Sequence, residues 1–374
     1  MSARPKPPFR ADHVGSLLRP ARLKEARVAF EKGTLPREEL SEIEDQAIRD
    51  VVKLQEEVGL RGVTDGEFRR REWHMDFLKS FANVREVPSK IKLHFHSAEG
   101  ENEVTPPSLR IEGKLGRPKG IFVEHFKFVK SVAHATAKQT IPSPTIMHFR
   151  GGRGAVDRTA YPEMDAFFAD LARVYSEEIH DLGAAGCRYL QIDDTNFAYL
   201  CDPALRKQVR ETIGEDPEKL PATYIKLINE AIAKRPADMA VCMHICRGNN
   251  QSAWLAEGGY DPVAEQVFSE TRIDGFFLEY DTPRAGDFKP LRFVPKGKVV
   301  VLGLVTTKLP ALERKDELKR RIDEAAKYVP LEQLCISPQC GFSSTIEGNK
   351  VTVADEIAKL RLVVDVAREV WGGV

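Results

Sequence analysis

Eight short apolar runs, most of them followed by a stretch of helical spacing, set what this chain can fold into. They lie at residues 12–15, 60–65, 139–141, 188–193, 240–243, 276–279, 299–304 and 334–336. Amphipathic stretches such as 164–182, 221–233, 312–329 and 353–370 fill the intervals, with apolar residues three and four apart. Strands that are apolar throughout are buried on both faces, the mark of a parallel sheet with helical crossovers. Eight such units predict an α/β protein, a (β/α)8 TIM barrel forming one domain over 1–374. A doubly wound open sheet is the competing architecture. The rhythm breaks over 88–120, where Lys92-Leu93-His94-Phe95-His96 and Leu109-Arg110-Ile111-Glu112-Gly113 alternate. That pattern predicts an inserted β-hairpin near residues 91–120, a lid or interface element.

Parallel α/β folds gather their chemistry at the carboxyl ends of the strands. His244-Ile245-Cys246 puts two soft ligands at one such end, Glu279 closes the run ending Phe277-Leu278, and Cys340 follows the run through Gln339. If those runs are parallel neighbours, the four residues converge. One imidazole, two thiolates and one carboxylate suit tetrahedral Zn²⁺, with sulfur at about 2.3 Å and nitrogen or oxygen near 2.0 to 2.2 Å. Taken alone, His-x-Cys also reads as two buried core residues. The other strand ends offer His13, Gly15 and Ser16, then Asp65, Gly66 and Glu67, then Asp193 and Asp194. Each is singly a cap or a surface charge, yet several acids around a metal-bearing mouth suit a ligand with an ammonium group.

Composition removes other classes. The 56 Lys and Arg balance 56 Asp and Glu, so nothing electrostatic favours nucleic acid or an anionic membrane as partner. The segment Ser2 to Pro8 has no apolar core of signal-peptide length, and no run is long enough to span a bilayer. The six cysteines show no disulfide-framework spacing. The expectation is a soluble, cytoplasmic protein acting on small molecules, with a homo-oligomer left open.

Together these motifs resemble the catalytic C-terminal barrel of cobalamin-independent methionine synthase, within the group that also holds uroporphyrinogen decarboxylase and thiol alkyltransferases. The resemblance runs from His13-Val14-Gly15-Ser16 through Asp65-Gly66-Glu67 and Gln191-Ile192-Asp193 to His244-Ile245-Cys246, Phe277-Leu278-Glu279 and Ser337-Pro338-Gln339-Cys340-Gly341, nearly the whole chain. It implies a Zn²⁺ cofactor on His244, Cys246, Glu279 and Cys340. It also implies homocysteine bound by the backbone and hydroxyl of Val14-Gly15-Ser16, with Glu67 and Asp193 holding the amino acid. The implied reaction is that of a 5-methyltetrahydropteroyltriglutamate–homocysteine S-methyltransferase, giving methionine. Full-length plant and bacterial members carry a second, N-terminal barrel; this chain is similar to the shorter, single-barrel branch.

The chain departs from that family at two places. The acid histidine expected after the seventh strand is missing from Gly303-Leu304-Val305-Thr306-Thr307-Lys308, and the tryptophan that stacks on the pterin is missing from Pro144-Thr145-Ile146-Met147-His148-Phe149. His148 or His74 is the candidate substitute acid, and Phe149 or Trp73 the candidate stacking face. Arg69-Arg70-Arg71 reads either as a seat for a folate's polyglutamate tail or as a solvated helix start with charge pairs. Two other functions stay open. One is zinc-dependent transfer to homocysteine or another thiol from a non-folate donor, as in the similar epoxyalkane:coenzyme M transferases; the other is a binding protein with a structural zinc. Ser16, Glu67 and Asp193 favour an amino-acid thiol over a sulfonate, and Glu279 argues against a closed structural site.

Overall fold

The computed structural model describes residues 4–88, 92–97 and 100–374. Residues 1–3, in the segment read for a signal peptide, and 89–91 and 98–99, within the expected insertion, lie outside the described residues. Six parallel strands stand side by side in chain order: β1 (Gln139–Pro142), β2 (Tyr189–Asp194), β3 (Ala240–Ile245), β4 (Gly275–Glu279), β5 (Val299–Val305) and β6 (Leu334–Pro338). The ladder continues at both edges. Ala11 bridges Ile336 of β6 in parallel, and the two-residue strand Gly62–Val63 pairs in parallel with Thr136–Ala137, just ahead of β1. Six of the eight apolar runs thus lie in one parallel sheet, the run 60–65 supplies a short parallel pair beside it, and the run 12–15 follows a single parallel bridge at Ala11.

Between the segment around Ala11 and Gly62–Val63 there is no ladder pair among the described residues. Other bonds join them: Thr64 Oγ1 donates to Gly15 O at 2.6 Å, and Leu17 N to Gly66 O at 3.1 Å. A buried pair, Lys138 Nζ to Asp12 Oδ1 at 3.1 Å, crosses the same region, and Tyr189 OH donates to Asp12 Oδ2 at 2.7 Å.

Alternate residues of each strand part company, as strand geometry requires. Leu190, Val241, Phe276 and Val300 pack in the large core with helices such as Met164–Ala184 and Leu220–Ala231. Tyr189, Cys242, Phe277, Val301 and Cys335 instead form a separate small core with Phe9 and Val14. Counting on by two from this second set reaches Asp193, His244, Cys246 and Glu279, so strand parity alone delivers those side chains to one face at the carboxyl edge. Among the described residues no helix is long and apolar enough to cross a membrane.

The insertion differs from the expected hairpin. Its two alternating segments do not pair with each other: Leu93–Ser97 pairs with Gly100–Val104, and Ala82–Val87 pairs with Ser108–Gly116, both antiparallel. The unrecognised partner Gly100–Val104 is polar and mostly exposed, so it carries no apolar alternation to read.

Candidate metal centre and its cavity

Strand register brings the candidate ligands together. Asp193 pairs with His244, His244 with Phe277, and Glu279 with Gly303 across β2 to β5. Cys246 extends β3 through its amide, which donates to Asp194 O at 2.7 Å. Cys340 follows β6, positioned by Gln339 N donating to Val305 O at 2.8 Å. One ligand atom from each of His244, Cys246, Glu279 and Cys340 lies within 4.8 Å of the others, a group that could hold a metal ion.

The spacing suits an ion. Two sulfurs at about 2.3 Å from a tetrahedral centre stand about 3.8 Å apart; Cys246 Sγ and Cys340 Sγ are 3.6 Å apart. His244 Nε2 lies 3.7 Å from Glu279 Oε1, while Nδ1 faces Asp193 Oδ1 at 3.4 Å. The carboxylate of Asp193 thus accepts from Nδ1, the outer partner that metal-binding histidines generally have, while Nε2 faces Glu279 and Gln339 O, and its lone pair would serve a metal once the proton it carries there is displaced. Glu279 is pinned by Arg247 N on Oε1 at 3.0 Å and Arg284 on Oε2 at 3.3 Å. Burial opposes its charge, but the bond to His244 and the charges of Lys308 and Arg284 prevail and hold its carboxyl at about 2. The Cys340 thiol is held below its ordinary value, chiefly by the bond from Cys246. Cys246 is shifted the other way, well above its ordinary value, chiefly by the same bond to Cys340.

Beside it opens a cavity of about 210 Å³, lined by Val14, Ser16, Glu67, Asp193 and three of the four candidate ligands, with Trp73, His74, Arg150 and Tyr199. The inserted strands add Leu93, Phe95 and Val104. Glu279 is wholly buried behind this surface. Gly15 lies against Thr140, where a Cβ would stand 2.7 Å from a methyl carbon. Gly341 is tighter still: a Cβ there would stand 1.9 Å from Ser16 Oγ, so the absence of a side chain lets Ser16 and Cys340 approach. Glu67 accepts from Thr140 Oγ1 at 2.8 Å and pairs with Arg70 at 3.2 Å.

Other candidates stand elsewhere. The turn Ile146–Phe149 directs His148 away from the cavity, with Nδ1 3.0 Å from Tyr224 OH and Nε2 3.2 Å from Glu215. Phe149 lines an adjoining apolar recess rather than the cavity. His74 does reach the cavity, but Arg150 NH1 donates to its Nε2 at 2.8 Å, so that nitrogen must offer its lone pair. Burial, then the Arg150 charge, hold its pKa well below the ordinary value. His74 is therefore a neutral imidazole with its proton on Nδ1, unsuited to act as an acid. Of the two readings of the arginine run, the charge pairs are present. Arg69 pairs with Glu44 and Asp45, and Arg70 with Glu67, leaving only Arg71 exposed, 3.3 Å from Glu31. Asp194 falls on the opposite parity, where Thr145 Oγ1 and Phe197 N donate to it at 2.6 and 2.9 Å. Sequence reasoning missed Arg150, Thr195, Tyr199 and Asn249, which lie in loops and short helical turns beyond the strand ends.

Known proteins resemble this chain over most of its length. The profile of the family described as cobalamin-independent synthase, catalytic domain, matches residues 9–369. The Bacillus subtilis (strain 168) protein YxjH, described as uncharacterised, is 46% identical over 368 residues, covering 98% of this chain and 96% of its own length. A methionine synthase of Pyrococcus abyssi is 24% identical over 333 residues, 88% of this chain and 84% of its own length. Among solved structures, a Listeria monocytogenes protein provisionally described as a vitamin B12-independent methionine synthase superposes with a TM-score of 0.76 at 39% identity, covering 99% of this chain and 100% of that one.

Proposed function

Because the chain belongs to the cobalamin-independent synthase catalytic-domain family, we propose that it is a zinc-dependent S-methyltransferase that methylates homocysteine to methionine, with 5-methyltetrahydrofolate as donor. The observation that carries this reading is the His244, Cys246, Glu279 and Cys340 group opening onto a cavity that also presents Ser16, Glu67 and Asp193. Bound Zn²⁺ supplies a Lewis acid that keeps a thiol in its thiolate form at neutral pH.

The chain's residues do the rest. Val14, Gly15 and Ser16 bind the amino acid through backbone and hydroxyl, and Glu67 and Asp193 take its ammonium group. Asp193 also fixes the His244 tautomer, and Arg247 N with Arg284 keep Glu279 ionised. Trp73, Phe95 and Tyr199 line the cavity with ring surface that excludes water and offers a stacking face for a donor. In this reading the array closes as a (β/α)8 barrel along the Gly15–Thr64 seam, and its six unpaired cysteines suit the reducing cytoplasm.

A second reading keeps the acceptor and changes the donor. Two observations favour it: β5 is followed by Thr306-Thr307-Lys308 without a histidine, and Arg69 and Arg70 are spent on internal acids. A tertiary amine must be protonated to leave, whereas a donor such as a sulfonium leaves without an acid. The test is methyl transfer by zinc-loaded protein to homocysteine from methyltetrahydrofolate, in mono- and polyglutamate forms, and from methylated sulfur donors. Methionine from the folate supports the first reading and methionine only from another donor the second. No product from any donor would overturn both.

A further inference from the structure

Arg150 is the one arginine or lysine among the described residues lining the cavity beside the metal centre. It is held from behind: NH1 donates to His74 Nε2 at 2.8 Å and to Pro107 O at 3.1 Å. Among the described residues no carboxylate lies within ion-pair distance of it. Arg150 is half-buried, and whereas Arg27, Arg117 and Lys138 are matched by Glu44, Glu178 and Asp12, its guanidinium meets, among the described residues, only a ring nitrogen and a carbonyl. Glu72, which lines the same cavity, is near enough for its charge to act on Arg150 but makes no ion pair with it. A half-buried guanidinium with no carboxylate paired to it keeps donors free for a ligand, and planar two-pronged donation to a carboxylate is the chemistry it serves best.

Its place in the fold says which reactant carries the anion. Arg150 also lines an apolar recess with Leu93, Pro106, Phe149, Tyr199 and Val209. It therefore stands at the junction of that recess and the metal-bearing cavity. Glu67 and Asp193, the acids suited to the acceptor's ammonium group, line the cavity and not the recess.

We infer that Arg150 is the anion-recognition residue for the methyl donor, which carries a carboxylate on an apolar or aromatic body that fills the recess. The inference rests on the thiol methyl-transfer reading above and deepens it. Two donor classes share this chemistry, a folate through its glutamate carboxylate and a carboxylated sulfonium through its own.

Calorimetric titration of the zinc-loaded full chain tests it, using 5-methyltetrahydrofolate and dimethylsulfoniopropionate, the methyl esters of each, and homocysteine. One of the two acids should bind the unaltered protein, and which one binds names the donor class. Its affinity should fall about tenfold or more in Arg150→Gln and recover in part in Arg150→Lys. Its ester should bind both proteins equally weakly, and homocysteine should bind all three alike. Equal binding of acid and ester by the unaltered protein would overturn the inference even if Arg150→Gln failed to fold. So would loss of homocysteine affinity in a folded Arg150→Gln, which would move Arg150 to the acceptor. Binding of homocysteine with neither acid would sink the inference alone, whereas failure of homocysteine to bind would sink the methyl-transfer reading and the inference with it.

Discussion

Cys246 Sγ and Cys340 Sγ lie 3.6 Å apart across 94 residues of sequence. A disulfide requires about 2.05 Å, so the pair is unbonded, and its spacing is close to that of two thiolates sharing one tetrahedral ion. Cys340→Ser should therefore weaken zinc retention by more than the roughly 10- to 100-fold that loss of an outer partner costs. The fold should survive, because β3, β4 and β6 are already laddered to their neighbours. Metal content after dialysis against a chelator, together with a thermal melt, reads both effects. Unfolding of the variant on metal loss would instead identify a structural ion.

Asp193 sets the proton on His244. Without metal, burial lowers the imidazole's pKa, but the bonds to Asp193 and Glu279 and the Cys340 charge outweigh it and raise it to about 10. Below that pH metal must displace a proton from His244, so zinc affinity should rise with pH through the neutral range. Asp193→Asn removes the largest of the raising contacts. The pH slope should flatten, and affinity near pH 9, where proton competition matters least, should fall about 10- to 100-fold. Competition titrations at pH 6 and pH 9 check this; parallel pH slopes in the two proteins would show that Asp193 does not orient His244.

How much of this was legible in the sequence follows from periodicity. Strand residues two apart share a face, so His244 and Cys246 declare a common site as soon as the run before them reads as a strand, and the apolar runs located all six strands of the main parallel sheet and the short pair at Gly62–Val63. What stayed hidden depends on turns and on partners distant in the chain. His148 and Arg150 are two residues apart on one short turn, yet His148 goes to Tyr224 and Arg150 to the cavity, and nothing in the local pattern separates them. Arg69 and Arg70 look like an exposed basic run until Glu44, Asp45 and Glu67 are placed around them. In the insertion, the polar segment Gly100–Val104 carried no signal that it would take Leu93–Ser97 as its partner.

Gly303 is required by the approach of two backbones to the centre. A Cβ there would stand 2.7 Å from Gln339 Cα and 2.9 Å from Leu278 O. Neither is the free end of a side chain, and each precedes a candidate ligand, Cys340 and Glu279. Gly303→Ala should cost about 1 to 3 kcal/mol of stability through overpacking and should loosen metal binding as well. Denaturant unfolding of the metal-free protein isolates the first effect. Full stability and full zinc affinity in the variant would show that the strands part at little cost.

Glu356 makes stability fall with rising pH. It is buried near the start of the last helix, accepts from Leu18 N at 2.8 Å, and burial raises its carboxyl to about 8, the Leu18 bond opposing only in part. Unfolded, it would titrate near its ordinary 4.5. Between those values the folded chain keeps a proton that the unfolded chain releases, so rising pH favours unfolding across this window and the penalty is complete above pH 8. Gln mimics the protonated form at every pH and can still accept from Leu18. Glu356→Gln should therefore melt with the parent below pH 5 and exceed it at pH 9 by about 2 kcal/mol or more, a few degrees in a chain of this size. Melts of both metal-free proteins at pH 5 and pH 9 decide it. An offset of the same size at both values would mean that the carboxyl ionises normally and that the gain comes from packing.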